Sequence, residues 1–120
     1  MVIGSRYSGG FEKGAMPFSH RYIGVPVLSF LGRIASGSAV KDFHCGLRAV
    51  NRERFLTLGA HASGMEYASE MIILAAKAGH IIRQTPVHLR CDRRDKPPHL
   101  RTIPDGFRHL KLIFSLAFRN

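Results

Sequence analysis

Residues 42–48, within KDFHCGLRAV, constrain this chain more than any other stretch. An acid, an imidazole, a thiol, a glycine and a guanidinium are interleaved there with Phe43, Leu47 and Val50, which is too much polarity for a plain core strand. On an extended backbone side chains alternate between faces, so Asp42, His44, Gly46 and Arg48 would share one side and Phe43, Cys45, Leu47 and Ala49 the other. One face would pack on a core while the other lines a cleft with an anion-binding arginine held by an aspartate. The same spacing suits equally an Asp42–Arg48 pair that only fixes the end of a strand.

What can surround such a strand is bounded by size. A chain of 120 residues is one domain at most, and burying roughly 60 to 70% of its unfolded surface gives it a modest core. With 45% hydrophobic and 22% charged residues it is globular and not disordered. Eighteen Lys and Arg against 8 Asp and Glu leave a formal charge of +10, which draws an anionic partner: nucleic acid, a phosphorylated ligand or an acidic membrane surface. Charge does not choose among them. Cys45 and Cys91 lack CxxC spacing and suit buried thiols in a reducing compartment. No segment is ordered as a signal peptide, and no apolar run approaches the roughly 18 residues of a membrane span, so a cytosolic or cytosol-facing location is expected.

In chain order, Val2 and Ile3 read as the end of a strand that opens at Gly4, followed by a glycine-bearing loop over 7–17 with Arg6 at its base. The spacing predicts a helix over 18–36, kinked or broken at Pro26, with Ser19 as a cap and His20 and Arg21 on its first turn. After the 42–48 strand, Asn51 should cap a short helix over 52–58 that Gly59 ends, with Phe55, Leu56 and Leu58 inside. Ser63 and Glu66 fit a capping box for a further helix. Glu70 then enters the apolar run 71–76, where a lone carboxylate needs a basic partner or a cleft. Lys77-Ala78-Gly79 stops that helix, and 80–90 reads as a strand placed near an edge by Pro86. A basic loop over 91–104 leads to a last helix opened by Asp105 and Gly106, with an apolar stripe of Phe107, Leu110, Ile113, Phe114 and Ala117. That stripe fits packing on the sheet or lying on an anionic membrane. Metal-ligand spacing, a G-x-S-x-G elbow, a Walker loop and internal repeats are absent from the sequence.

Several motifs in order, GSRYSGG, AMPFSHRYIG, DFHCGLRA, GMEYASEM and PPHLRTIPDGFRHLK, resemble the C-terminal half of a family 2 glycosyltransferase, in the branch of dolichyl-phosphate mannose and glucose synthases and their bacterial polyprenyl-phosphate relatives. The resemblance implies an α/β chain with a partial GT-A, Rossmann-like fold, a mixed sheet with flanking helices. Residues 1–120 would form the acceptor-side part, with the N-terminal nucleotide-binding half absent and the fragment inactive by itself. It further implies a nucleotide-sugar donor, a lipid-phosphate acceptor and a divalent metal, Mg or Mn, whose Asp-x-Asp ligands do not occur in this chain. Carried over residue by residue, Asp42 and Glu70 become the catalytic acids, Glu70 by ordering arginines. Arg6, Arg21, Arg48, Arg93, Arg94, His99 and Arg101 become the phosphate and acceptor contacts. The departure at Pro-Pro-His-Leu, where the synthases show a Ser-Lys-Leu-like ending, leaves the gripping side chain of that loop open. The expected location is then cytoplasmic, peripheral at the cytoplasmic face of a membrane. The alternative from charge alone is a non-enzymatic basic module that binds nucleic acid or anionic lipid. Few aromatics are interleaved with the basic run, so nucleic acid is not the expected partner.

Overall fold

In a computed structural model of the chain, residues 1–13, 20–90 and 102–118 are described, the side chains of 20, 21, 102, 103 and 105 excepted. The elements run β1 (Val2–Ser5), α1 (Arg6–Gly9), a π-helical turn (His20–Gly24), α2 (Val25–Ser36), β2 (Arg48–Ala49), α3 (Arg52–Leu56), α4 (Tyr67–Lys77), β3 (Arg83–Pro86) and α5 (Thr102–Ala117). They form a mixed α/β arrangement in which a three-stranded sheet, ordered β2-β1-β3, is flanked by helices. β1 pairs antiparallel with β2, Ile3 opposite Arg48, and parallel with β3, Ile3 opposite Gln84. Such an architecture is compatible with part of a Rossmann-like glycosyltransferase domain.

The central strand is the buried one: Ile3 and Ser5 are fully enclosed, whereas every residue of β3 is exposed, as expected of an edge strand that ends in proline. Helices α2, α4 and α5 pack against one another. Ile3, Val40, Phe43, Cys45, Ile72, Ile73, Ile113 and Leu116 make the core between helices and sheet. Gly32 belongs to this packing, because a Cβ there would lie 2.6 Å from the Phe43 ring. The helix thus presents bare backbone to an aromatic face.

Helix ends follow local chemistry. Pro26 sits in the first turn of α2, where a missing N–H costs nothing, and the π-helical turn precedes it, so the long helix expected over 18–36 breaks there. The Asn51 side chain accepts from the Arg54 amide at 3.1 Å and caps α3. α4 ends in a Schellman arrangement, with the His80 amide on Ala75 O and the Gly79 amide on Ala76 O, both at 3.0 Å, and Gly79 at φ 77°.

Four expectations are corrected. Residues 42–47 are irregular and only Arg48–Ala49 is strand, because the segment's polar backbone atoms are taken by side chains: Ser29 Oγ receives the Phe43 amide at 3.1 Å, and Arg48 occupies the carbonyls of Phe43 and Cys45. Leu56 is exposed, since α3 stops after little more than one turn and turns only Phe55 toward Tyr67. Glu66 forms no capping box; it has helical angles at the N-terminus of α4 and its carboxylate meets Arg108 of α5 at 3.4 Å. The buried face of α5 is His109, Ile113 and Leu116, one helical stripe at i, i+4 and i+7, which leaves Phe107 and Phe114 outside.

Candidate functional site: two arginines near a buried Asp42

Arg6 stands where β1 turns into α1. The turn is tight: a Cβ on Gly9 would fall 2.0 Å from Val87 O, so only glycine lets α1 lie against the chain that follows β3. Here the Arg6 guanidinium meets a carboxylate 36 residues on, with Nε 2.7 Å from Asp42 Oδ2 and Nη2 2.8 Å from Oδ1. The Arg6 amide adds a third donor to Oδ2 at 3.2 Å, and the His44 amide a fourth to Oδ1 at 3.2 Å. Asp42 is wholly buried and ionised. Burial favours its neutral form, but the hydrogen bonds and charge of Arg6 outweigh that and hold its pKa below the usual carboxylate value. Burial likewise opposes the Arg6 charge, and Asp42 reverses the balance, so the arginine pKa is raised.

Arg48 is placed differently from the expectation that Asp42 would hold it. Its Nη2 and Nε donate to the carbonyls of Phe43 (2.7 Å) and Cys45 (2.9 Å), and Nη1 donates to Ala68 O (2.7 Å) and faces Met71 Sδ (3.6 Å). This stitches the irregular segment to the first turn of α4 with no carboxylate among the described residues in contact. Burial, with a contribution from the Arg6 charge, lowers its pKa, while Asp42 acts on it only through space. Asp42 thus pairs with Arg6 alone while Arg48 stands nearby on carbonyls, and the trio retains one positive charge in a low-dielectric setting where it acts strongly.

Glu70 does not join Arg6 and Arg48, two of the arginines it was expected to order. Its Oε2 accepts the amides of His61 (3.0 Å) and Ala62 (2.7 Å), and Oε1 lies 3.5 Å from His61 Nδ1. A buried acid needs donors, and two backbone amides serve as well as a cation. Glu70 lines a separate cavity of about 340 Å³ with His61, Leu74 and Lys77. The side chain of Arg21 lies outside the described residues, as do Arg93, Arg94, His99 and Arg101.

Beside α1, Tyr7, Pro26, Arg33, Ala39 and Lys41 line an open groove of about 460 Å³ with apolar walls and two cations. Arg33 is held by Val40 O at 3.2 Å. The reading of the sequence placed His44 on the face of Asp42 but missed Ser69 and His109, two buried residues that cluster with it. The available signal was a histidine in register with Ile113 and Leu116, on the face of α5 that a core would claim. Among the described residues no three His, Cys, Asp or Glu side chains gather as metal ligands, and Asp42 is committed to Arg6, so these residues do not fit the divalent metal that the resemblance implies.

Over 113 residues, 94% of this chain, the sequence is 34% identical to the low-salt glycan biosynthesis hexosyltransferase Agl6 of Haloferax volcanii. The chain spans 27% of that protein's length. No protein-family model matches the chain, and no solved structure matches it.

Proposed function

We propose that this chain is the acceptor-side part of a family 2, GT-A glycosyltransferase that moves a hexose from a nucleotide-diphosphate sugar to a polyprenyl phosphate. The observation that carries the reading is the likeness to a hexosyltransferase along 94% of the chain; a buried Asp42 that holds Arg6 is in keeping with it. Transfer is an in-line attack of an acceptor phosphate oxygen on the anomeric carbon, as the bond from that carbon to the diphosphate breaks and its electron pair leaves with the diphosphate. The acceptor oxygen is anionic at neutral pH and needs no general base. Asp42 therefore serves by fixing Arg6 rather than by taking a proton.

Arg6 spends Nε and Nη2 on Asp42, which leaves Nη1 to grip a phosphoryl oxygen. Arg48, its donors spent on carbonyls, supplies field at a distance. Arg21, Arg93, Arg94, His99 and Arg101 are assigned further phosphate contacts by the resemblance. The apolar groove with Arg33 and Lys41 suits a prenyl chain that carries a phosphate. Metal and donor-base contacts belong to the remainder of a longer enzyme.

The membrane side of the reading rests on apolar surface. Ile23, Val27, Phe30 and Ile34 are exposed along one side of α2 and its leading turn, as are Phe107 and Phe114 along α5 beside Lys111 and Phe118 just past its end. Such stripes with interspersed cations suit a peripheral position on the cytoplasmic face. Among the described residues no helix is long and apolar enough to cross a membrane.

The test is an assay of the complete enzyme with labelled sugar nucleotides, a divalent metal and polyprenyl phosphate in vesicles. Metal-dependent transfer of label to lipid, lost in Arg6→Ala, is the expected result. Absence of transfer with every common sugar nucleotide, together with salt-sensitive RNA or DNA binding, would replace the enzyme by the basic module.

A further inference from the structure

Three side chains from distant parts of the chain meet in the interior. His44 Nε2 lies 3.4 Å from His109 Nδ1 of α5, and Ser69 Oγ of α4 lies 3.1 Å from His109 Nδ1 and 3.5 Å from His44 Nε2. The two rings meet edge to face with centroids 4.6 Å apart, and Ser69 and His109 are buried. Two ring nitrogens cannot face each other with bare lone pairs, so one imidazole proton and the serine hydroxyl proton must fill the triangle. With the proton on His44 Nε2, Nδ1 of that ring is left as an acceptor, and it has no partner among the described residues. A buried polar cluster with so few satisfactory proton arrangements holds one geometry.

The connection continues to the arginine. The His44 amide donates to Asp42 Oδ1 at 3.2 Å, and that same oxygen receives Arg6 Nη2 at 2.8 Å. A shift of the His44 ring moves its amide, the amide moves the carboxylate, and the carboxylate aims Arg6. We propose that His109 is a positioning residue: through Ser69, His44 and Asp42, the docking of α5 sets the orientation of the Arg6 guanidinium.

This deepens the assignment of Arg6 as the anion-gripping group and rests on it for its meaning in turnover. The geometry couples two events that would otherwise be separate. When α5 is seated, with Arg108 on Glu66 as a second tie, the triangle closes and Arg6 is held. When α5 lifts, His44 loses His109 and keeps only the 3.5 Å contact to Ser69 of α4, and Asp42 is held less firmly. Any partner surface that presses or releases α5 thereby reaches Arg6 without touching it.

The experiment uses the isotope-labelled 120-residue chain and follows the Arg6 Nε–H signal by NMR. His109→Leu, with an unchanged far-UV spectrum, is expected to speed exchange of that proton with solvent roughly tenfold while the Arg54 amide at the α3 cap is unmoved. Binding of inorganic pyrophosphate should weaken roughly fivefold, a modest coupling. His109→Asn places a polar atom near the position of Nδ1 and should restore both readouts, which a loss of packing alone would not allow. If His109→Leu does not fold, Ser69→Ala removes only a hydroxyl and should shift the Arg6 signal in the same direction. An Arg6 Nε–H that exchanges at the parent rate in a folded His109→Leu, or in Ser69→Ala when His109→Leu does not fold, overturns the proposal, and so does failure of His109→Asn to rescue. Should Arg6 loosen while pyrophosphate binding stays constant, the positioning stands and the anion-gripping role of Arg6 falls.

Discussion

Acid should destabilise this fold well above the range in which carboxylates protonate, and His44 is the reason. Its ring is enclosed, Nε2 is committed to the triangle with Ser69 and His109, and Nδ1 faces no acceptor among the described residues. Protonation would place a new buried N–H there with nothing to receive it. Burial is the largest opposing influence; the neighbouring His109, Arg6 and Arg48 add to it, Asp42 works against it, and the pKa falls from 6.5 to about 3. The unfolded chain binds a proton near pH 6.5 and the folded chain does not, so the stability present above that pH declines as pH falls from 6.5 toward 3. At about 1.4 kcal/mol for each unit of pH, the descent from pH 6.5 to 5 removes roughly 2 kcal/mol. Asp42 adds nothing in that window, because its own contribution is lost only at lower pH. Urea unfolding at pH 7.5, 6 and 5 measures the slope, and His44→Gln keeps a donor near the position of Nε2 without a titrating ring. The variant should be less sensitive to pH by most of that 2 kcal/mol, whatever its stability at pH 7.5. Equal slopes for the two proteins, or an imidazole ¹⁵N spectrum in which His44 is charged at pH 5, would refute the account.

Gly9→Ala should cost on the order of 3 kcal/mol or more, since its Cβ meets Val87 backbone at 2.0 to 2.5 Å, and the melting temperature should fall accordingly. Gly46→Ala, with nothing within 4 Å, should stay within about 0.5 kcal/mol in the same melt. Asp42→Ala leaves Arg6 without its carboxylate and should lose about 3 to 5 kcal/mol by urea unfolding, with Arg6→Met in the same chain recovering part of the loss. Asn51→Ala should cost about 1 kcal/mol and raise amide exchange at Arg54, a local effect that leaves the Arg6 signals in place.

The parts of this fold that depend on neighbours in sequence were legible. Asn51 before Arg52-Glu53-Arg54, Lys77-Ala78-Gly79 and the proline of the edge strand each carry their structural consequence within a few residues. Long-range partners were not. Glu70 was rightly expected to need company, but composition cannot say whether the company is a guanidinium or two amides. His109 is one residue in a basic helix whose two phenylalanines, Phe107 and Phe114, compete for the role of buried face, and hydrophobicity alone chooses wrongly. What decides it is that α4 offers Ser69 and the irregular segment offers His44, polar partners that a phenylalanine could not use.

The error over 42–48 carries the functional lesson. As a strand, the segment would aim Asp42 and Arg48 from one face into the same space, where they would pair and cancel. The irregular backbone separates them: Asp42 turns to Arg6, and Arg48 turns back on the carbonyls of Phe43 and Cys45 and across to Ala68. Carbonyl dipoles satisfy the hydrogen bonds of a guanidinium without neutralising it. The segment departs from strand geometry because side chains take its polar backbone atoms, and Arg48 keeps its charge on those carbonyls instead of cancelling it against Asp42.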